Sequence, residues 1–286
     1  MMLGAMRAVL LVVVLGWYVT GCGSPPAVGE VLSTRLDGLD ADSGALARAD
    51  EEVHLAQAWA EAEPKNPQAQ AAASWALAVA ADLRLLIDQV GRAQAGDLEI
   101  EDLVGLDDSA DSDLKSAALG LCSAGLDFGK AATALDEEHP LGAYYRAFHL
   151  SLVAWAEGAP TALLRGRGPA LKDLLVKNAD RFPTLHGAAP LRLRGRFLDR
   201  APWPYGDKEE GLLLLREAVR LAPVPVNWQF LGDSLWSCGD VEGAAAAWRS
   251  GTQAPAQPAT AYGAGLRRAL NQARLDALTS SATDRP

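Results

Sequence analysis

The stretch from Trp228 to Gly251 constrains the fold more than any other part of the chain. Trp228, Leu231, Gly232 and Leu235 recur at i, i+3, i+4 and i+7, so they share one face of a helix. Gly239-Asp240 then interrupts the pattern. A glycine just past a helix stops it, and an aspartate oxygen takes an orphan backbone N–H at the start of the next. Ala244, Trp248 and Gly251 form the facing stripe of a second helix. Small residues at 232, 244 and 251 let the two axes approach, while large ones at 228 and 248 fill the space beside them. Trp228, Trp236 and Trp248 are therefore expected in the core.

A second unit lies upstream. Gly211, Leu215 and Ala218 fit a second helix closed by Pro223, and residues 188–200 are the expected first helix. The turn between them, Ala201-Pro202-Trp203-Pro204-Tyr205-Gly206, is long: Gly195 to Gly211 spans sixteen positions, where Gly232 to Ala244 spans twelve. Trp59, Ala62 and Pro67 also fit the end of such a unit, with Leu55 in place of the small residue. This size order resembles the tetratricopeptide repeat (TPR), a helix–turn–helix unit of about 34 residues. Seven positions between Trp228 and Gly251 match, and the closing proline is displaced to Pro255. The resemblance implies an all-α fold, a TPR-like right-handed superhelix of antiparallel helix pairs, in one domain spanning 43–278. Its clearest repeats are 188–223 and 225–258. Single repeats cannot bury their faces, so about three or more must stack. The N-terminal half is expected to be pairs of the same kind with a degraded signature.

The remaining pattern is helical too. The chain is rich in Ala and Leu, most densely over 69–81, and such composition favours helix over strand. Residues 45–62 read as one helix, broken by Glu63-Pro64-Lys65-Asn66-Pro67. A second passes through Trp75, Val79, Leu83, Leu86 and Val90. Helical pattern resumes at 114–126, and again from Pro140 with Leu141, Tyr145, Phe148, Leu152 and Trp155 on one stripe. Residues 259–278 read as a capping helix with Arg267, Arg268 and Arg274 on a polar outer face, and 279–286 as a disordered tail. Between Asp97 and Asp113 stand eight carboxylates and no basic residue. A calcium loop counted from Asp107 would need Gly and Glu where Ser112 and Ala118 stand. The stretch is expected to be a solvated acidic loop. Residues 163–200 hold nine basic and three acidic side chains, spread around helices as a solvated face, with a docking surface for an acidic partner as the alternative.

At the N-terminus, Arg7 is followed by an apolar run from Ala8 to Val19 that is too short to span a bilayer, for which about 20 residues are needed. It ends in Val19-Thr20-Gly21-Cys22, which resembles the lipobox of bacterial lipoproteins. That resemblance implies a signal peptide over 1–21, lipidation and acylation of Cys22, and a flexible tether over 22–42. Gly23 stands where an Asp would signal inner-membrane retention, so the outer membrane is favoured.

The chain carries a net charge of −10, and nucleic acid is a poor partner for an acidic surface. No Gly-x-Ser-x-Gly elbow, phosphate-binding glycine loop or His-Glu-x-x-His is present, and His54, His139, His149 and His186 lie far apart. An enzyme, a metal site or a cofactor is therefore not expected. Cys122 and Cys238 sit in apolar helical stretches and read as buried free thiols. His139-Pro140-Leu141-Gly142 with Tyr144-Tyr145, Pro190 through Arg192, Gly195 and Arg196, Ala201 through Pro204, Gly206-Asp207, and Ala218 through Pro223 together resemble envelope lipoproteins with degenerate repeats. Among these is the T component associated with TRAP transporters. The resemblance implies an apolar pocket between helices and a periplasmic solute-binding partner. The candidate ligand- or partner-binding residues are Trp203, Tyr205, Arg196 and Tyr145. Two roles follow as expectations: a membrane-anchored, non-enzymatic scaffold for a protein or peptide of the envelope, or capture of a small apolar ligand for transport. A sealed aromatic-lined cavity would favour the second; a filled core would exclude it.

Overall fold

A computed structural model of the chain describes residues 44–96, 98–257 and 260–283. The expected signal peptide, Cys22 and the tether lie outside these residues, as does the end of the expected tail, 284–286. Every regular element among the described residues is an α-helix. The chain is all-α.

Helix α1 (Ala45–Ala62) buries one alanine-rich stripe, Ala45, Ala49, Val53, Ala56 and Ala60, against α2 (Pro67–Gln94). Leu55 lies on the opposite, exposed face. Asn66 starts α2: its side-chain oxygen accepts from the amides of Gln68 and Ala69 at 2.9 and 3.4 Å, with Pro67 in the first turn. From Ala69 to Ala81 every residue of α2 is buried. That needs neighbours on all sides, and small side chains let them come close. α2 is long and apolar enough to cross a membrane by length and composition, yet its most apolar window is 83% buried within the fold.

The short α3 (Ile100–Val104) leads to α4 (Ser112–Leu135) and α5 (Pro140–Glu157), which both pack on α2 and on each other. The three helices meet at one hydrogen-bonded junction. Ser74 Oγ donates to the Gly125 carbonyl at 2.8 Å, and His149 Nε2 donates to the Ser74 carbonyl at 2.8 Å. Gly125 is obligatory there, because a Cβ would lie 2.2 Å from the His149 ring.

Beyond α5, the chain continues through α6 (Ala159–Leu164), α7 (Arg167–Arg181), α8 (Leu185–Arg200), α9 (Lys208–Leu221), α10 (Pro225–Ser237) and α11 (Val241–Gln253). From α7 to α11 each helix packs on the next, most tightly within the pairs α8–α9 and α10–α11. Both pairs cross at the glycines that the sequence singles out. A Cβ on Gly232 would meet the Trp248 ring at 2.4 Å, and one on Gly211 would meet the Gly195 carbonyl oxygen at 2.9 Å. Asp240 caps α11 by accepting from the Gly243 amide at 2.9 Å. Trp248 is fully buried, and Trp228 and Trp236 are partly buried against the same cluster.

The last helix, α12 (Ala264–Thr283), departs from expectation. It packs on α11 and α10, and then returns to α2 and α3, so the order of packing closes on itself. Arg274 is 2% exposed rather than on an outer polar face, and Arg267 is 9% exposed. Burial is tolerated because each finds a carboxylate: Arg274 Nε reaches Asp233 at 2.7 Å and Arg267 reaches Asp82 at 3.0 Å. The helix also continues through 279–283 instead of giving way to a tail, with Thr279, Ser280 and Ser281 hydroxyls bonded to carbonyls four residues back. Cys122 is buried and its thiol is pushed up to about 12 by burial, with Asp82 adding to it. Cys238 is exposed, contrary to expectation. It follows the last turn of α10, off the Trp228–Leu235 stripe, where Gly239 turns the chain at φ 84°.

Burial brings the His149 pKa down to about 4, opposed only by its bond to the Ser74 carbonyl. With Nε2 donating, the bare Nδ1 has no acceptor within the described residues for a second proton. The unfolded chain takes up that proton near 6.5 and the folded chain only near 4. Stability is therefore full above pH 6.5 and falls as pH drops to 4, by about 2–4 kcal/mol for this residue. Urea melts between pH 7 and 4.5 should show that loss, and His149→Gln should flatten it.

Candidate functional site

A cavity of about 560 Å³ opens between α5, α7, α8, α10 and the segment entering α12. α8 lies along it. His186, Arg192, Arg196 and Ala201 of this one segment all face the cavity, and the run from Ala189 to Ala201 is about 18 Å at the helical rise.

The start of α8 is unusual. His186, Gly187 and Ala188 take left-handed backbone angles, with φ of 45°, 65° and 60°. Two of the three are not glycine, and such positions cost on the order of 1–3 kcal/mol each. Side chains clamp the turn: Asn227, fully buried on α10, donates to the Gly187 carbonyl at 3.0 Å, and Arg192 donates to it at 3.2 Å. Pro190 then sits in the first turn of the regular right-handed helix. The turn drives the His186 ring among Trp75, Tyr144 and Tyr145, at centroid distances of 5.2, 6.3 and 5.8 Å. Tyr145 Oη and His186 Nδ1 are 2.9 Å apart. Burial and then Arg192 bring the His186 pKa down to about 4, so the ring is neutral at physiological pH.

At the other end of α8, the Ala201–Gly206 turn folds back on the helix. A Cβ on Gly206 would meet the Ala201 carbonyl oxygen at 2.0 Å, so only glycine closes it. The Asp207 amide donates to the Leu198 carbonyl at 2.9 Å, and Asp207 then caps α9. The turn places Tyr205 over Gly168 at the start of α7, as part of the cavity wall. Trp203 is 88% exposed and lies outside the wall. Leu164, at the end of α6, is 90% exposed as well, and its neighbour Leu163 lines the cavity.

Of the four residues expected to bind a ligand or partner, Tyr145, Tyr205 and Arg196 thus come together around one cavity, and Trp203 stands outside it. Arg196, 11% exposed, is claimed by the protein itself. Its guanidinium lies 2.7 Å from Asp107, 3.5 Å from Asp199 and 3.7 Å from Asp233. Asp107 belongs to the stretch read as a solvated acidic loop, and that reading fails over 100–107, while Asp108, Asp111 and Asp113 are exposed. Ile100, Leu103, Val104 and Leu106 are buried, and the segment that carries Asp107 is pinned from several helices. Arg92 donates to the Leu106 carbonyl, Arg200 to the Val104 carbonyl and Trp155 to the Asp107 carbonyl. Burial alone would raise the Asp107 pKa, but Arg196, with Arg267 and Arg200, brings it down to about 2. Arg196 and Arg200 of α8 are, correspondingly, partners of these carboxylates more than part of a solvated face. Among the described residues no cluster of His, Cys, Asp and Glu is arranged to hold a metal ion.

Sequence reasoning missed Arg192, Tyr144, Tyr262 and Phe230. Arg192 and Tyr144 lie within the stretches that carry the family resemblance, but no spacing rule separates them from their neighbours. Tyr262 and Phe230 become visible only once α12 returns to α2. Arg196 and Arg267 both sit over the Phe230 ring, at 4.9 and 5.5 Å. No family model matches the chain, and comparison with curated proteins finds no match.

The ion pairs and the exposed turn give opposite expectations for substitution. Asp233 is fully buried and accepts from both Arg274 and Trp248 Nε1. Asp233→Ala strands a buried guanidinium and should cost about 3–5 kcal/mol. Trp203→Ala removes an exposed side chain and should change stability by less than about 0.5 kcal/mol. Urea denaturation of both variants checks the pair.

Proposed function

We propose that this chain is a lipid-anchored, non-enzymatic binding protein of the bacterial envelope that captures a small amphipathic molecule in the cavity along α8. The observation that carries this is the cavity itself. At about 560 Å³ it falls within the range of small-molecule sites. Its walls are largely apolar and aromatic, with Phe148, Trp155, Phe197 and Phe230 among them, and a few polar groups converge on it. A core built only for stability would close over such a space, because empty volume costs stability.

The glycine crossings in α8–α9 and α10–α11 support the TPR-like reading of these pairs, as consecutive units of a right-handed superhelix. The return of α12 to α2 would then turn the groove of such an array into a deeper, half-open chamber. The lipobox at Cys22 supports attachment to a membrane, with the outer membrane favoured. The resemblance to the T component associated with TRAP transporters adds a periplasmic solute-binding partner, from which a captured molecule would come or to which it would pass.

The scaffold reading has one observation in its favour. Trp203 and Leu164 are large apolar side chains left in solvent beside cavity-lining neighbours, and exposed aromatics are common anchors of protein interfaces. A pull-down from envelope membranes with wild type and Trp203→Ala tests it: loss of a partner supports docking at this turn, and an unchanged partner list removes the turn from consideration.

The ligand reading is tested by native mass spectrometry of the full chain purified from membranes. A bound small molecule is expected on the wild type and is expected to be lost in Ala154→Trp, which places an indole in the cavity while helicity is retained. No bound molecule, and no uptake of added amphiphiles by the wild type, would contradict it.

A further inference from the structure

We propose that the cavity selects carboxylates, with Arg192 as the anchor for the head group of an amphipathic ligand whose apolar part lies along α8. This rests on the ligand-binding reading above and goes beyond it in naming the chemical class.

Five guanidinium groups line the cavity, and four of them hold a carboxylate of the protein. Arg167 pairs with Glu157, Arg196 with Asp107, Arg200 with Asp108 and Arg267 with Asp82. Arg192 alone among these has no carboxylate partner within the described residues. Its Nη1 donates to Asn227 Oδ1 at 2.7 Å and to the Gly187 carbonyl at 3.2 Å. Those two neutral acceptors fix the plane of the group and leave its charge uncompensated. A charge on an apolar wall is costly unless an opposite charge meets it. The acids that line the chamber, Asp82, Asp107 and Asp108, are already held by Arg267, Arg196 and Arg200, so none of them is available to play that part.

The surroundings of Arg192 suit a small planar anion. Tyr144, Tyr145, Tyr262 and His186 line the same cavity as Arg192, and the rings of Tyr144, Tyr145 and His186 cluster at centroid distances of 4.9, 5.8 and 6.3 Å. Tyrosine hydroxyls can donate to a carboxylate oxygen while the guanidinium supplies the charge, which is a stronger arrangement than neutral hydrogen bonds alone. The neutral His186 occupies the Tyr145 hydroxyl and keeps a second cation out of the cluster. From this point the chamber extends past Phe148, Phe197 and Leu171 towards Tyr205, which offers an apolar bed for a chain. The clamp on Gly187 has a consequence here: the strained turn and the anchor are held by one guanidinium and one asparagine, so the head-group site is built before any ligand arrives.

The test compares decanoate with 1-decanol, two probes that share a chain and differ in charge, by isothermal titration calorimetry on the full chain at pH 7.5. The wild type should bind decanoate about tenfold or more tightly, as expected for one charge-assisted hydrogen-bonded contact. Arg192→Met should erase that preference, and Arg192→Lys should restore part of it. Equal affinity of the wild type for the two probes would overturn the assignment without any variant, and so would a decanoate preference that survives in Arg192→Met. If the wild type binds neither probe nor any added amphiphile, the ligand-binding reading itself fails, a result distinct from loss of the charge preference.

Discussion

The structure depends on α2 being buried on every side. A helix with neighbours all round must offer small side chains over much of its surface, and the run from Ala69 to Ala81 does so. Gln70 and Ser74 are the polar exceptions: Gln70 donates to the Ala60 carbonyl of α1, and Ser74 is satisfied by Gly125 and His149 on the two helices that pack there. Because α2 is filled from all directions, α12 has a partner to return to, and the Arg267–Asp82 pair marks where the two meet. That return joins the C-terminal helices to the N-terminal ones.

Closing the row has an electrostatic cost that the fold meets with one connected set of ions. Asp233 on α10 receives Arg274 from α12, Asp199 on α8 lies beside Arg196 and Arg200, and Asp107 before α4 holds Arg196 from outside. Buried pairs of this kind add little net stability over apolar packing, but breaking one leaves a charge stranded. Their effect is to fix register: α3, α8, α10 and α12 can meet in only one way if all these charges are to be matched. Beside that set stands Arg192, which among the described residues meets neutral acceptors and no carboxylate.

Local structure was legible in the sequence to the extent that one helix pair specifies itself. The Trp228–Gly251 stripe, the Asp240 cap, the crossing of Gly195 and Gly211, and the α1–α2 break at Glu63–Pro67 all rest on interactions within about twenty residues. The features that were not legible join distant parts of the chain. Arg267 and Arg274 look like surface charges on a terminal helix until α2 and α10 supply carboxylates. Asp107 looks like one more acid in an acidic loop until Arg196, 89 positions away, reaches it. The left-handed turn at His186–Ala188 breaks local preference at two non-glycine residues, and Asn227, Arg192 and Tyr145, from beyond the turn, hold it. Three of the four candidate residues did converge on the cavity, yet the one with an unspent charge was not among them, because charge compensation is a property of the assembled fold.

The central claim, that the half-open cavity along α8 is a carboxylate-binding chamber rather than a packing defect, is tested most directly by a crystal structure of the chain grown with decanoate. The account predicts continuous density along α8 between Phe148, Phe197 and Phe230, with the head group within hydrogen-bonding distance of Arg192. Density reversed in the chamber, with the head group at the Tyr205 end, would contradict the anchor. A chamber collapsed by inward side chains, or decanoate found only elsewhere on the protein, would contradict the account as a whole.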